Sequence, residues 1–317
     1  MRRTPNTSTV YSTSRTREVM YLRLLLIIAY ATEYKTQAFS ATSLVGSSNR
    51  IAVTGNKLST RYLPHRPHHQ GLRHMSASAE ATLAWPPADR LSEYVTGTCL
   101  VDYGRLAAQE SEWLDPALAL VKKTSPNTDA DRHAFLINAY NLWTIYWVIR
   151  ERSRWPGFKG ATGWLSKARF FYWHKIVVSG KKWNLFDFEN KAIRPDVDDA
   201  RVHFALNCAS MSCPPLRRKL FTGAALDAEL DEVTSAAING GAMVQLKDDG
   251  KTLMVNPIFK WYKEDFDKDG GVLAFIKSRW TGPPLPEDAT VDFFTYDWRT
   301  NSVDATWSDR ALGGPAP

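Results

Sequence analysis

Cysteine is scarce in this chain. Its 317 residues hold three, Cys99, Cys208 and Cys213, too few for a disulfide framework. Acid is missing from residues 39–79, which contain no Asp or Glu, and tryptophan is missing from everything before residue 80, although the chain has twelve. There is no internal repeat, no coiled-coil heptad and no apolar run long enough to span a bilayer. These absences exclude a disulfide-stapled miniprotein, a solenoid, a zipper and stable membrane insertion of the mature chain. The formal charge of +7 also misleads. Residues 1–79 carry eleven Lys and Arg against two acidic residues, and the remainder carries 29 against 31. The folded part is near neutral, so no nucleic-acid partner is expected.

The first 79 residues read as a leader. Arg15 and Arg17 precede an apolar run, Val19–Ala31, broken only by Arg23. Small and polar residues follow up to Ala38, the layout of a signal peptide over residues 1–38. The acid-free stretch 39–79, rich in Ser, Thr, Arg, Lys and His, has transit-peptide composition and reads as a disordered linker. With Phe39 at the junction, the two parts resemble the two-part plastid leaders of algae with secondary plastids. Secretion and mitochondrial import are the alternatives. His65, His68, His69 and His74 in this stretch read as a basic linker rather than a metal site.

Residues 80–317 are expected to form a single globular domain, large enough to bury a substantial core. Helical spacing is clearest over 129–152, where Ala134, Ile137, Asn138, Asn141, Leu142, Ile145 and Val148 share a face. Further helices are expected over 91–94, 103–121 with a break near Leu114 before Pro116, 188–193, 224–239, 259–266 and 271–279. Strands are expected over 169–178 and 183–186 around a Ser179-Gly180-Lys181-Lys182 turn, over 202–208, and over 243–246 and 252–255 around Asp248-Asp249-Gly250. Helices and hairpins in this order give an α+β class, mixed helices with a small antiparallel sheet.

Chemistry is concentrated in Arg201–Leu216, RVHFALNCASMSCPPL. His203, Cys208 and Cys213 recur every five residues, and Pro214-Pro215 follow. A thiol acts as its thiolate, and an imidazole is the usual means of producing one. On a straight strand alternate residues share a face, so His203, Ala205 and Asn207 would point away from Cys208. Cys213 would then be the nucleophile at a turn, near the N-terminus of a helix opened by the prolines, and Cys208 a core thiol. His203 would be its base. Asn207, Asn138 or Glu189 would orient the imidazole, although Asn138 and Asn141 equally suit hydrogen bonding to a neighbouring loop, and Glu189 suits a helix cap. His-x4-Cys-x4-Cys offers three soft ligands, but opposed faces and the lack of a fourth argue against zinc, so no metal and no cofactor is expected. A Cys208–Cys213 disulfide is a further alternative in an oxidising compartment. Cys99 reads as structural.

Four runs in order, Ala134–Ile145 (AFLINAYNLWTI), His203–Pro215, Ile258–Phe266 (IFKWYKEDF) and Tyr296-Asp297-Trp298, resemble the family called domain of unknown function 547, over about residues 132–301. Plant members often carry an N-terminal zipper coiled coil, and this chain has no heptads there. By analogy the fold would compare with helix-plus-sheet thiol hydrolases and transglutaminases. Two functions follow as expectations. One is a thiol hydrolase or acyl transferase acting on a small-molecule or peptide substrate through Cys213 and His203. The other is a non-catalytic interaction module in which the same residues hold a polar core together.

Overall fold

A computed structural model of the chain describes residues 90–305. The leader segments 1–38 and 39–79, with their histidines, lie outside the described residues. After a 3-10 turn over Arg90–Glu93 come helices α1 (Tyr103–Ala108), α2 (Leu114–Lys123) and α3 (Asp129–Arg154). The break before α2 falls where Pro116 dictates, because proline is tolerated only in a first turn.

The 26 residues of α3 organise the larger core. Thr128 caps the helix by accepting a hydrogen bond from Asp131 N–H, Asp129 and Asp131 lie at the positive end of the dipole, and Arg152 and Arg154 lie at the negative end. Ile137, Leu142, Ile145 and Val148 are buried as their spacing requires, each burial contributing about 1.5–3 kcal/mol. A short helix α4 (Trp164–Ala168) runs into a π-helical turn, Arg169–Trp173. The strand expected over 169–178 is therefore reduced to β1 (Ile176–Val178), which pairs antiparallel with β2 (Lys181–Trp183). Ser179 (φ 49°) and Gly180 (φ 74°) form the two-residue turn, both left-handed, as a right-twisted hairpin demands.

Helix α5 (Leu185–Phe188) continues through a π turn, Glu189–Ile193, into α6 (Arg194–Val197) and stops at left-handed Asp198. Pro195 does not stop it, since it occupies the first turn of α6. The strand expected over 202–208 is absent. Val202–Ala205 form a helical turn, α7, followed by irregular backbone.

Helix α8 (Leu226–Asn239) and the β-hairpin of β3 (Val244–Leu246) and β4 (Thr252–Val255) follow the sequence reading. Helices α9 (Ile258–Trp261), α10 (Lys263–Asp267) and α11 (Val272–Lys277) complete a second, aromatic core around Phe204, Phe259, Phe266 and Phe275. The 259–266 helix is interrupted at Tyr262. An unanticipated β5 (Thr290–Phe293) pairs parallel with β4, so this sheet is mixed rather than antiparallel. The fold is α+β, with helices predominating over two small sheets. No helix among the described residues is long and apolar enough to cross a membrane.

Candidate functional site

The backbone after α7 would stray without partners, and amide side chains supply them. Asn141 donates to Ala205 C=O (2.9 Å) and accepts from Asn207 N–H (2.8 Å). Asn207 in turn donates to Pro214 C=O (2.8 Å) and accepts from Ala209 N–H (2.9 Å). It thereby staples the residue after Cys208 to the residue after Cys213. Ala209 lies in the left-handed region (φ 62°), and this reversal turns the loop back on itself.

The segment after β5 then runs beside the loop. Met211 N–H donates to Arg299 C=O (2.7 Å), Ser212 N–H to Asp297 C=O (3.2 Å), and Asn301 N–H to Ala209 C=O (3.2 Å). Gly160 lets this segment pass, because a Cβ there would collide with the backbone of Trp298 and Thr300.

The result is a cavity of about 240 Å³. All four sequence runs reach it: Tyr140 from the first, His203, Leu206, Cys208 and Cys213 from the second, Ile258, Trp261 and Tyr262 from the third, and Tyr296 and Trp298 from the fourth. Phe171, Tyr172, Phe186, Lys167 and Glu189 complete the lining. Trp261 is 42% exposed, which places it at the rim rather than in the core. Phe171 and Tyr172 reach the cavity from the π turn.

Because 202–208 is not a strand, His203 and Cys208 are not held on opposite faces. Both cysteines are half-buried and line the cavity. Cys208 N–H donates to Cys213 Sγ at 2.9 Å, and Cys213 S–H has the Leu206 carbonyl (3.7 Å) and the Cys208 sulfur as acceptors. Cys208 Sγ lies 3.3 Å from both the Tyr296 hydroxyl and Ser210 Oγ, and Ser210 donates to Tyr296 at 2.8 Å. Hydrogen bonding from Cys213, opposed by burial and helped by Ser210 and Tyr296, pulls the Cys208 thiol down to about 7. Burial pushes Cys213 well up, and no helix opens at Pro214-Pro215 to counter it. Of the pair, Cys208 is the thiol whose hydrogen-bonding surroundings favour the ionised form, whereas the strand-based expectation placed the nucleophile at Cys213.

His203 is buried, stacked on Tyr262 with centroids 3.9 Å apart. Its Nε2–H donates to Asp265 Oδ2 at 2.8 Å, and no hydrogen bond joins it to either thiol among the described residues. Arg194 holds the same carboxylate oxygen at 2.8 Å. Burial opposes ionisation of Asp265, but the hydrogen bonds from His203 and Arg194 outweigh it and keep the carboxyl well below the usual range.

The three candidates for orienting His203 are all engaged elsewhere. Glu189 accepts from the Tyr262 hydroxyl (2.5 Å) and so reaches His203 only through the ring stacked on it. Asn138 donates to Phe221 C=O (2.8 Å) and accepts from Phe221 N–H (2.9 Å). Asn207 is the loop staple. Asp265 was missed as a partner because it lies 62 residues from His203 in sequence. Its only signal was a carboxylate beside apolar residues in IFKWYKEDF. Among the described residues no group of three His, Cys, Asp or Glu side chains is placed to hold a metal ion.

Tyr140 is 1% exposed, reaches the cavity, and has no hydrogen bond to another described residue. Burial pushes the phenols of Tyr140, Tyr262 and Tyr296 well up, so each keeps its proton and remains a donor.

Residues 124–236 match the family described as Protein of unknown function, DUF547. The match bears out the resemblance over the first two runs and ends before the third and fourth. Comparison with curated proteins and with solved structures finds no match.

Proposed function

We propose that the cavity is the site of a thiol-dependent hydrolase or acyl transferase with Cys208 as nucleophile. The observation that carries this reading is the convergence of Tyr296, Ser210 and Cys213 on the Cys208 sulfur within a cavity shared with the His203–Asp265 pair. Such a thiolate needs no base to form it. It adds to the carbonyl carbon of an acyl donor, and the Tyr140 hydroxyl is a donor free to bond the developing oxyanion. His203, its Nε2–H held by Asp265, takes up a proton from solvent on Nδ1 and delivers it to the leaving group, and Nδ1 then takes one from the water or acceptor that releases the acyl group. Cys213 serves as a donor to Cys208 rather than as the attacking group. The aromatic walls suit an apolar acyl or aromatic group on a small molecule or peptide. As part of the same proposal, residues 1–79 deliver the chain to a plastid, and a reporter fused to them would reveal mitochondrial or secretory routing if that part fails.

The experiment is mass spectrometry of the intact protein after incubation with a panel of aryl esters and thioesters. The expected result is an acyl adduct on Cys208 that turns over in the wild type, is absent in Cys208→Ala, and accumulates in His203→Ala. If no member of the panel leaves an adduct on Cys208, the alternative of a non-catalytic interaction module replaces the enzyme.

A further inference from the structure

We propose that Cys208 and Cys213 form a peroxide-oxidisable dithiol, a modification site that closes to an intramolecular disulfide and takes hydrogen peroxide or an organic hydroperoxide as its oxidant. The proposal shares the Cys208 nucleophile with the reading above but does not depend on acyl transfer.

Three independent restraints hold the sulfurs together. The Asn207 side chain joins Ala209 to Pro214 across the two ends of the loop. Cys213 N–H donates to Ser210 C=O at 3.1 Å, closing a turn inside it. The segment 297–301 hydrogen-bonds Ala209, Met211 and Ser212 from outside. The restrained loop presents Cys213 Sγ 2.9 Å from Cys208 N. Adding one N–Cα bond leaves that sulfur within about 4.4 Å of Cys208 Cα, and Cys213 also hydrogen-bonds the Cys208 side chain, so the two thiols are neighbours, as closure to a disulfide requires. Both sulfurs line the cavity, so a small oxidant that enters meets them.

The chemistry balances in two steps. The Cys208 thiolate attacks the nearer peroxide oxygen; the S–O bond forms, the O–O bond breaks, and the departing oxygen leaves as an alkoxide or hydroxide that takes a proton from solvent. Cys208 is then a sulfenic acid. Cys213 sulfur attacks Cys208 sulfur, the S–S bond forms, and hydroxide leaves with the Cys213 proton as water. Two thiols are oxidised and one hydroperoxide is reduced to an alcohol or water. The depressed Cys208 thiol and the elevated Cys213 thiol suit the attacking and resolving roles in that order. Closure removes the nucleophile from the cavity, so oxidation would switch off any thiol chemistry there.

The test is hydrogen peroxide titration of the full chain, followed by thiol counting and peptide mass spectrometry. The expected result is loss of two of the three thiols, a Cys208–Cys213 cross-linked peptide, and full recovery with dithiothreitol. Cys99, whose thiol burial pushes up, should remain reduced. Cys213→Ser should stop at a sulfenic acid on Cys208, trapped by dimedone, and Cys213→Ala serves if the serine variant is poorly folded. Retention of all three thiols, a bridge involving Cys99, or no dimedone adduct on Cys208 in either variant would overturn the proposal. None of these readouts uses an acyl donor, so the dithiol stands or falls separately from the hydrolase.

Discussion

Among the described residues, two histidine–carboxylate–arginine clusters with the imidazole stacked on an aromatic ring are built almost alike. In one, His174 stacks on Trp147 at 3.8 Å, its Nε2 lies 2.8 Å from Glu151 Oε1, and Arg169 pairs with the other oxygen. In the other, His203 stacks on Tyr262 at 3.9 Å, its Nε2 lies 2.8 Å from Asp265 Oδ2, and Arg194 pairs with the same carboxylate. What separates them is their surroundings. Glu151 is 1% exposed on α3, and neither it nor His174 lines the thiol cavity, whereas His203 shares that cavity with two thiols and an unengaged phenol. A triad-like arrangement is therefore also an ordinary way to bury an imidazole, and only the adjoining cavity distinguishes a candidate catalytic pair from a structural one.

That contrast can be broken most forcibly at Glu151. Glu151→Ala strands Arg169 and His174 without their anion and should cost about 3–5 kcal/mol in urea unfolding, while Cys208 alkylation in the folded fraction stays unchanged. A loss of stability too small to measure would show that the cluster is solvated. Asp265→Asn should be milder for stability, about 1–3 kcal/mol, but should slow release of an acyl group from Cys208 by about 10²–10⁴. Unaltered deacylation in that variant would make the two clusters equivalent and both structural.

The pH dependence sharpens the comparison. Burial pushes His174 down despite Glu151. The unfolded chain then binds more protons than the folded one, so this contribution to stability is present above the ordinary histidine pKa of about 6.5 and is lost as pH falls below it. Asp265 is also depressed, so its contribution is present above the unfolded carboxylate pKa of about 3.9 and is lost only in stronger acid. His174→Gln should flatten the decline in melting temperature between neutral pH and pH 5. An unchanged slope in that variant would assign the decline to other groups. The smallest effect is kinetic. Iodoacetamide labelling of Cys208 should rise with a midpoint of about 7, and Tyr296→Phe, which removes one donor, should move that midpoint upward. A midpoint at the ordinary thiol value in the wild type would mean that Cys208 is not activated.

Much of the fold was legible because its signals are local. The α3 periodicity, the break before Pro116 and the turns at Ser179-Gly180 and Asp249-Gly250 each rest on a few neighbouring residues. The errors share a cause. HFALNC has the apolar character of a buried strand, yet Asn141 and Asn207 satisfy its backbone by side-chain hydrogen bonds, and a helical turn followed by a loop results. FFYW has the aromatic content of a strand and forms a π turn because its rings pack on distant partners such as Phe186 and Trp298. Strand β5 is largely exposed and only four residues long, so its brief Thr-Val-Asp-Phe alternation did not announce a partner in β4.

The sequence by itself determined which residue types are available for chemistry: two thiols and a histidine within eleven residues, in a folded part with neither basic excess nor disulfide framework. It also determined the helices and hairpins that carry them, since propensity, capping and turn geometry act over a few residues. Only the tertiary structure decided which side chains surround the Cys208 sulfur and which acid holds His203. Those depend on Tyr296 and Asp265, which lie 88 residues from Cys208 and 62 from His203 along the chain. Hydrogen bonding and desolvation act through space, and no local pattern encodes which distant side chains a loop will meet.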